Sequence, residues 1–330
     1  PIEPAPGALL SRIRIDVRPP DKKTAATALS RVMERTRFHT GGDGLVALLD
    51  ARPEVKRFLE GVFGNSPYLT ELAARDSGRL ARILISDPAV LVDALVAEVE
   101  ASRHDDEATL MRALRLAKQE VALAAALADL GGVWGTMEVT GALTRIGDAT
   151  LQAAVRFCLA DAAARGKIEL PNPADPAEGS GWILLAMGKY GAHELNYSSD
   201  IDLIVFFDRD VPKLADPDEA VDLFVRLTKR MVKIMQERTA DGYVFRTDLR
   251  LRPDPGATPI AMSLDAAFQY YESMGQNWER AALIKARPAA GDLKAGWGFV
   301  SEIRPFIWRK YFDYAAIADV HSIKRQIHAH

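Results

Sequence analysis

Apolar residues recur at spacings of three and four through most of the first half of the chain, which is the period of an amphipathic helix. The clearest stretch runs from Asp105 to Leu130, where Leu110, Leu114, Ala117, Val121 and Ala124 form one stripe. Acidic Asp105, Asp106 and Glu107 open it and Gly131-Gly132 closes it, so both helix ends are marked. Asp87 to Arg103 and Met137 to Arg165 carry the same period. The pattern predicts an N-terminal helical region over 1–165, with no fixed repeat that would make a solenoid. Residues 166–180 then crowd three prolines and two glycines into a short polar run, the expected linker.

Beyond it the period changes. Trp182 to Met187 and Ile201 to Phe207 are short apolar runs, and Tyr243 to Arg252 alternates strictly, as strands do. Between them, Asp218 to Arg238 places Val221, Phe224, Leu227, Met231 and Ile234 on one helical stripe. Strand, strand, helix, strand predicts a small α/β layer domain over 181–292, so the fold class expected for the chain is α+β. Ser263 reads as a helix N-cap, after which the chain reads as helical to its end. Residues 293–330 read as the start of a further helical region, with a helix from about Phe306. The chain lacks an initial Met and stops within a polar helical pattern, so a piece of a longer protein is expected.

Composition narrows the function classes. With 48% hydrophobic and 26% charged residues, the chain is able to bury a real core. A net charge of −3 argues against a protein held on nucleic acid by phosphate neutralisation. No run approaches the roughly 18 consecutive apolar residues of a membrane span, and nothing at the start reads as a secretory signal. The lone Cys158, in Val-Arg-Phe-Cys-Leu, reads as a small core hydrophobe and permits no internal disulfide. A cytoplasmic location is the expectation.

The chemistry is concentrated between Met187 and Ile204. In a strand, Asp200 and Asp202 project to one face with Cα atoms about 7 Å apart. At about 5 Å and an effective dielectric near 20, their repulsion is on the order of 3 kcal/mol, and a divalent cation reverses its sign. Asp248 alternates with Arg246, Arg250 and Arg252, so a third carboxylate is offered beside guanidinium groups suited to phosphate oxygens. Gly188-Lys189-Tyr190-Gly191 follows a strand, and its glycines let backbone N–H groups approach a phosphate. This is not a P-loop, because Ile183 and Tyr190 stand where that motif needs Gly and Ser or Thr. Ser198 and Ser199 add hydroxyl donors.

Taken singly these features are common; an Asp-x-Asp or an arginine-bearing strand is usually a solvated face. Their order, however, resembles that of the polymerase-beta-type nucleotidyltransferases. Within that superfamily, three blocks resemble the glutamine synthetase adenylyltransferase family. They are Gly188-Lys189-Tyr190-Gly191 through Glu194-Leu195-Asn196-Tyr197-Ser198-Ser199-Asp200-Ile201-Asp202-Leu203, Phe245 to Pro253, and Trp278-Glu279-Arg280 to Lys285-Ala286-Arg287-Pro288. The resemblance implies a nucleotidyltransferase domain flanked by helical regions. It also implies Mg²⁺ held by Asp200, Asp202 and Asp248, and phosphate held by Gly188, Lys189, Ser198, Ser199, Arg250 and Arg252.

Family members carry two such domains, one attaching AMP to a tyrosine of glutamine synthetase and one removing it by phosphorolysis. Asn196, where the attaching half usually has Gly, and Ile284 to Arg287 resemble the removing half; Ala186 before Met187 departs from the usual Gly-Met pair. The expected reaction is therefore attack by inorganic phosphate on adenylylated glutamine synthetase, releasing ADP, with a PII signalling protein as a regulatory partner. The alternatives are AMP transfer from ATP to a protein tyrosine, or a nucleotide-sensing module without turnover. His193 reads as a loop residue, and His321, His328 and His330 as incidental. Trp278, Trp297 and Trp308 read most simply as core anchors, with a place in the lining of the nucleotide pocket as the alternative for Trp278, which lies in the third block.

Overall fold

The computed structural model describes residues 4–19, 21–36, 42–211, 213–308 and 325. The chain divides into two compact units, Pro1–Ala101 with Ala113–Ile146, and Ser102–Arg112 with Gly147–His330. The last turns of the helix that precedes the linker thus belong with the second unit. No described helix is long and apolar enough to cross a membrane.

The first unit is helical. It contains α1 (Leu9–Arg12), α2 (Lys22–Thr36), α3 (Gly42–Ala51), α4 (Pro53–Asn65), α5 (Pro67–Arg75), α6 (Ser77–Ile85) and α7 (Pro88–Ala101), with most of α8 (Glu107–Leu130) and the start of α9 (Thr136–Ala164). Side chains cap the helix starts: Ser66 accepts from the Leu69 N–H at 3.2 Å and Asp76 from that of Arg79 at 3.1 Å. Phe58, Leu59, Phe63, Leu72, Leu80, Leu123 and Leu127 are buried in one cluster, each worth about 1.5–3 kcal/mol against exposure. Arg79 is also buried, and its guanidinium donates to Gln119 Oε1 at 3.2 Å with Glu120 at 3.8 Å.

The second unit combines helices with a small sheet, so the class is α+β as expected. Its strands are β1 (Ile168–Glu169), β2 (Trp182–Ala186), β3 (Ile201–Phe207), β4 (Lys213–Leu214), β5 (Thr247–Asp248), β6 (Met262–Ser263) and β7 (Arg287–Gly291). β1 and β4 pair separately, and the main sheet runs β5-β3-β2-β7, with β6 also on β3. β2 lies antiparallel to β3 and to β7, while β5 and β6 are both parallel to β3. The helices are α10 (Gly188–Gly191), α11 (Ala220–Gln236), α12 (Leu264–Ser273), α13 (Asn277–Leu283), α14 (Leu293–Glu302) and α15 (Arg304–Ile307).

Strand alternation covers both faces. Ile183, Leu185, Ile204 and Phe206 pack with Tyr271, Leu283 and Phe299 from α12 to α14. On the other face Phe207 stacks on Phe224 of α11 at 4.6 Å between ring centroids, and Trp182 lies 6.3 Å from the same ring. The predicted N-cap is observed, with Ser263 Oγ accepting from the Ala266 N–H.

Three expectations need correction. The alternating run Tyr243 to Arg252 is a strand only at Thr247–Asp248. Before it, the Val244 and Phe245 N–H groups donate to the Met235 carbonyl; after it, the Asp248 carboxylate captures the Arg250 N–H at 2.8 Å and turns the chain. The helical reading after Ser263 is interrupted by β7, whose sequence Arg-Pro-Ala-Ala-Gly carries no strand period, and β6 is equally unsignalled. Trp297 and Trp308 are more than half exposed and Trp278 is 39% exposed, so they are not core anchors. The α14 stripe that faces inward is Gly296 and Phe299, followed by Ile303, and Trp297 falls off it. The helix expected from about Phe306 and the three C-terminal histidines lie largely or wholly outside the described residues.

Candidate active site

Register, rather than proximity in sequence, brings the acidic residues together. Parallel pairing aligns Ile201 with Thr247 and Asp202 with Asp248, so two carboxylates from segments 46 residues apart start on neighbouring positions. Asp200 immediately precedes β3, and Asp200 and Asp202 open into one cleft with Gly188, Lys189, Ser198 and Ser199. Burial, then the negative charges of Asp248 and Asp200, push the Asp202 carboxyl up from 3.8 to about 6. Among the described residues no hydrogen-bond donor reaches that carboxylate. Asp248 goes the other way: hydrogen bonds from Arg250 hold it below its ordinary value against the opposing pull of burial.

The turn after β2 is pressed onto this cluster. Met187 N–H donates to the Asp202 carbonyl at 2.9 Å, and the chain then enters α10 through Gly188 at φ 55°. A Cβ on Gly188 would stand 2.8 Å from Asp202 Oδ2. Only glycine gives both the left-handed φ and the close approach. At the other end of α10, a Cβ on Gly191 would fall 2.1 Å from the Lys285 carbonyl oxygen, so the turn also fits tightly against the residues leading into β7.

Two residues whose roles are invisible in the sequence hold that turn. Buried Arg287 donates to Asp148 Oδ1 on α9 at 2.9 Å and to the Tyr190 carbonyl at 3.2 Å, with its guanidinium 5.2 Å from the Tyr190 ring centroid. Lys285 pairs with Glu194 at 2.9 Å. In the same block, Glu279 accepts from the Gln276 N–H at 2.7 Å and Arg280 donates to the Phe306 carbonyl at 2.6 Å. These contacts cap and pack α13, so the third block is scaffold around the site.

The arginines divide by role. Arg250 chelates Asp248 through Nε and Nη2 and lines a cleft of about 900 Å³ with Lys229, Lys233, Gln236 and Asp248. Arg246 donates through Nε to Asp200 and through Nη2 to the Ser198 carbonyl at 2.9 Å. It lines both that cleft and the one of about 720 Å³ that holds Gly188 and Asp202. Arg252 is not brought to either cleft. Its guanidinium is spent on the carbonyls of Leu249 and Pro255 at 2.8 Å and of Thr258 at 3.4 Å, where it braces its own turn. His193 is an exposed turn residue at φ 60°. Cys158 is fully buried, and burial pushes its thiol up to about 12, which fits a core residue.

The donor chemistry suits a hard divalent cation: oxygen ligands only, with a like-charge penalty that a cation would remove. The side chains do not yet stand as a ready cage. Among the described residues no three carboxylate, imidazole or thiol groups converge in metal-holding geometry, because Asp200 and Asp248 are each turned to an arginine.

Residues 56–301 match the sequence model of the family described as glutamate-ammonia ligase adenylyltransferase. The chain is 49% identical over 332 residues to a protein of Brucella suis biovar 1, covering all of this chain and 34% of that one. It is 54% identical over 285 residues to a protein of Bradyrhizobium diazoefficiens, covering 86% of this chain and 28% of the relative. A protein of Agrobacterium fabrum is 52% identical over 293 residues, with 87% and 30% covered. All three relatives are named bifunctional glutamine synthetase adenylyltransferase/adenylyl-removing enzyme. The chain spans about a third of their length.

Proposed function

The chain belongs to the glutamate-ammonia ligase adenylyltransferase family, and from that premise we propose that its α/β unit is a polymerase-beta-like nucleotidyltransferase domain removing AMP from glutamine synthetase. The observation that carries this reading is the Asp202–Asp248 register with Gly188 pressed against the Asp202 carboxylate. A carboxylate cluster and a phosphate-sized turn then share one cleft.

Lys189, Ser198 and Ser199 hold the adenylyl phosphate, and Arg250 faces the incoming inorganic phosphate from the adjoining cleft. The phosphate oxygen forms a bond to the adenylyl phosphorus while the bond to the tyrosine oxygen breaks in line. The proton of hydrogen phosphate ends on the departing phenolate, so ADP and unmodified tyrosine leave and no strong general base is needed. Mg²⁺, when held by Asp200, Asp202 and Asp248, would supply the charge neutralisation that lets two phosphates approach. Asn196, and the Lys285-Ala286-Arg287 segment that props the α10 turn, support the removing direction.

Mixing the chain with adenylylated glutamine synthetase, Mg²⁺ and inorganic phosphate should release ADP. Pyrophosphate release from ATP with unmodified glutamine synthetase, and no ADP from the first mixture, would assign the attaching reaction instead.

A further inference from the structure

Arg246 is the residue the sequence pattern leaves without a distinct task, and it stands on the wall shared by the two clefts. Its backbone is fixed, since the Ile201 N–H donates to the Arg246 carbonyl at 2.9 Å and ties it to the start of β3. Its side chain is about half exposed, as is that of Asp200, and it spans 46 residues to grip that carboxylate. An exposed ion pair of this kind contributes little to folding and is released at little cost. Nε and Nη2 point together at Asp200 and the Ser198 carbonyl, a fork of the kind that also fits two oxygens of a phosphate.

Resting on the phosphoryl-transfer reading above, we propose that Arg246 is an exchange residue. In the empty site it occupies Asp200; when a phosphate group enters, its guanidinium transfers to the phosphate oxygens and frees Asp200 to hold a divalent cation. Phosphate and cation binding are thereby coupled through one side chain, and coupling of this kind is reciprocal. The exchange frees one carboxylate of the cluster, Asp200, and leaves Asp248 on Arg250.

The test is a double-mutant cycle on metal affinity, read by the electron paramagnetic resonance signal of free Mn²⁺ and independent of turnover. Arg246→Gln should tighten Mn²⁺ binding in the absence of phosphate by about fivefold, the upper end of what an exposed ion pair withholds. In an Asp200→Asn background the same substitution should change it by less than about twofold, because the freed ligand is missing. Calorimetry with inorganic phosphate should show Arg246→Gln weakening phosphate binding by about tenfold. An equal gain in both backgrounds would mean simple removal of a positive charge and would overturn the exchange, as would unchanged Mn²⁺ or phosphate affinity. Mn²⁺ binding that requires Asp202 yet ignores Arg246 sinks this inference alone. No carboxylate-dependent Mn²⁺ binding at all sinks the phosphoryl-transfer reading with it.

Discussion

The α/β unit contains two clusters of charge that are treated in opposite ways. In one, Arg230 of α11 donates to Glu107 at 2.7 Å and also to Asp161, while Lys233 donates to Glu107 at 2.9 Å. Burial pulls the Glu107 carboxyl up, but the hydrogen bonds from Arg230 and Lys233 together hold it below its ordinary value. Asp161 is lowered in the same way, by Arg230 and Arg165. Every acid there has its base, and the guanidinium also lies 5.0 Å from the Phe157 ring. In the other cluster Asp202 has two acids for neighbours and an ionisation pushed up to about 6. The first arrangement is closed and joins helices; the second is left open to something the chain does not itself provide. A charge cluster is informative about function when it is electrostatically unfinished.

The largest effect should come from the open cluster. Asp248→Asn should leave the fold intact by circular dichroism and slow ADP release from adenylylated glutamine synthetase by at least about a thousandfold. Undiminished release would break the comparison, leaving Asp200 and Asp202 to account for turnover. The closed cluster should show the reverse. Arg230→Met removes the base shared by Glu107 and Asp161 and leaves them Lys233 and Arg165 alone, so urea unfolding should reveal a loss of about 1 kcal/mol, while turnover per folded molecule stays near its starting value.

A smaller effect should follow from Gly188→Ala, which adds a Cβ 2.8 Å from Asp202 Oδ2 at φ 55°. The turn should lift from the carboxylate, lowering kcat by about tenfold with a stability loss of about 1 kcal/mol. A variant that loses stability alone would show that the turn's position does not matter to the reaction.

The smallest effect concerns pH. Because the folded Asp202 carboxyl ionises near 6 rather than 3.8, the metal-free chain loses stability as pH rises from about 4 through 6. Above that window Asp202→Asn should be more stable than the parent by about 1 kcal/mol, once solvent screening of a half-exposed group is allowed for. At pH 4 the two should unfold alike. A constant difference across the range would mean that the open cluster carries no electrostatic penalty.

The sequence made the two strands Trp182–Ala186 and Ile201–Phe207, the helix α11 and the acidic trio legible, because each rests on local periodicity or spacing. It also pointed to Gly188, which lies against the Asp202 carboxylate. It misplaced Arg252, since an alternating run looks identical whether it pairs with a strand or turns back on itself after two residues. Arg287 and Lys285 were noticed without a role, because Asp148 and Glu194 lie 139 and 91 residues away along the chain and no periodicity reports such a meeting. The exposed tryptophans were misread for a related reason: size predicts burial only on average, while the inward stripe of α14 is set by Gly296 and Phe299.

The bond between Asp148 and Arg287 also sets an order of events during synthesis. Translation at about 5–20 residues per second means that Asp148 leaves the ribosome roughly 7–30 seconds before its partner exists. From the completion of β3 at Phe207 until Arg287 is made, the last 80 residues of that interval, β2 has β3 on one side and an unpaired edge on the other, in a strand whose five residues are all buried in the finished unit. Such an edge invites a stray strand from a neighbouring nascent chain. The last strand to emerge therefore closes the sheet, seats the turn over Asp202 and ends the period of greatest exposure in one step. A ribosome stalled before residue 287 should display a chain that chaperones retain and proteases cut near β2.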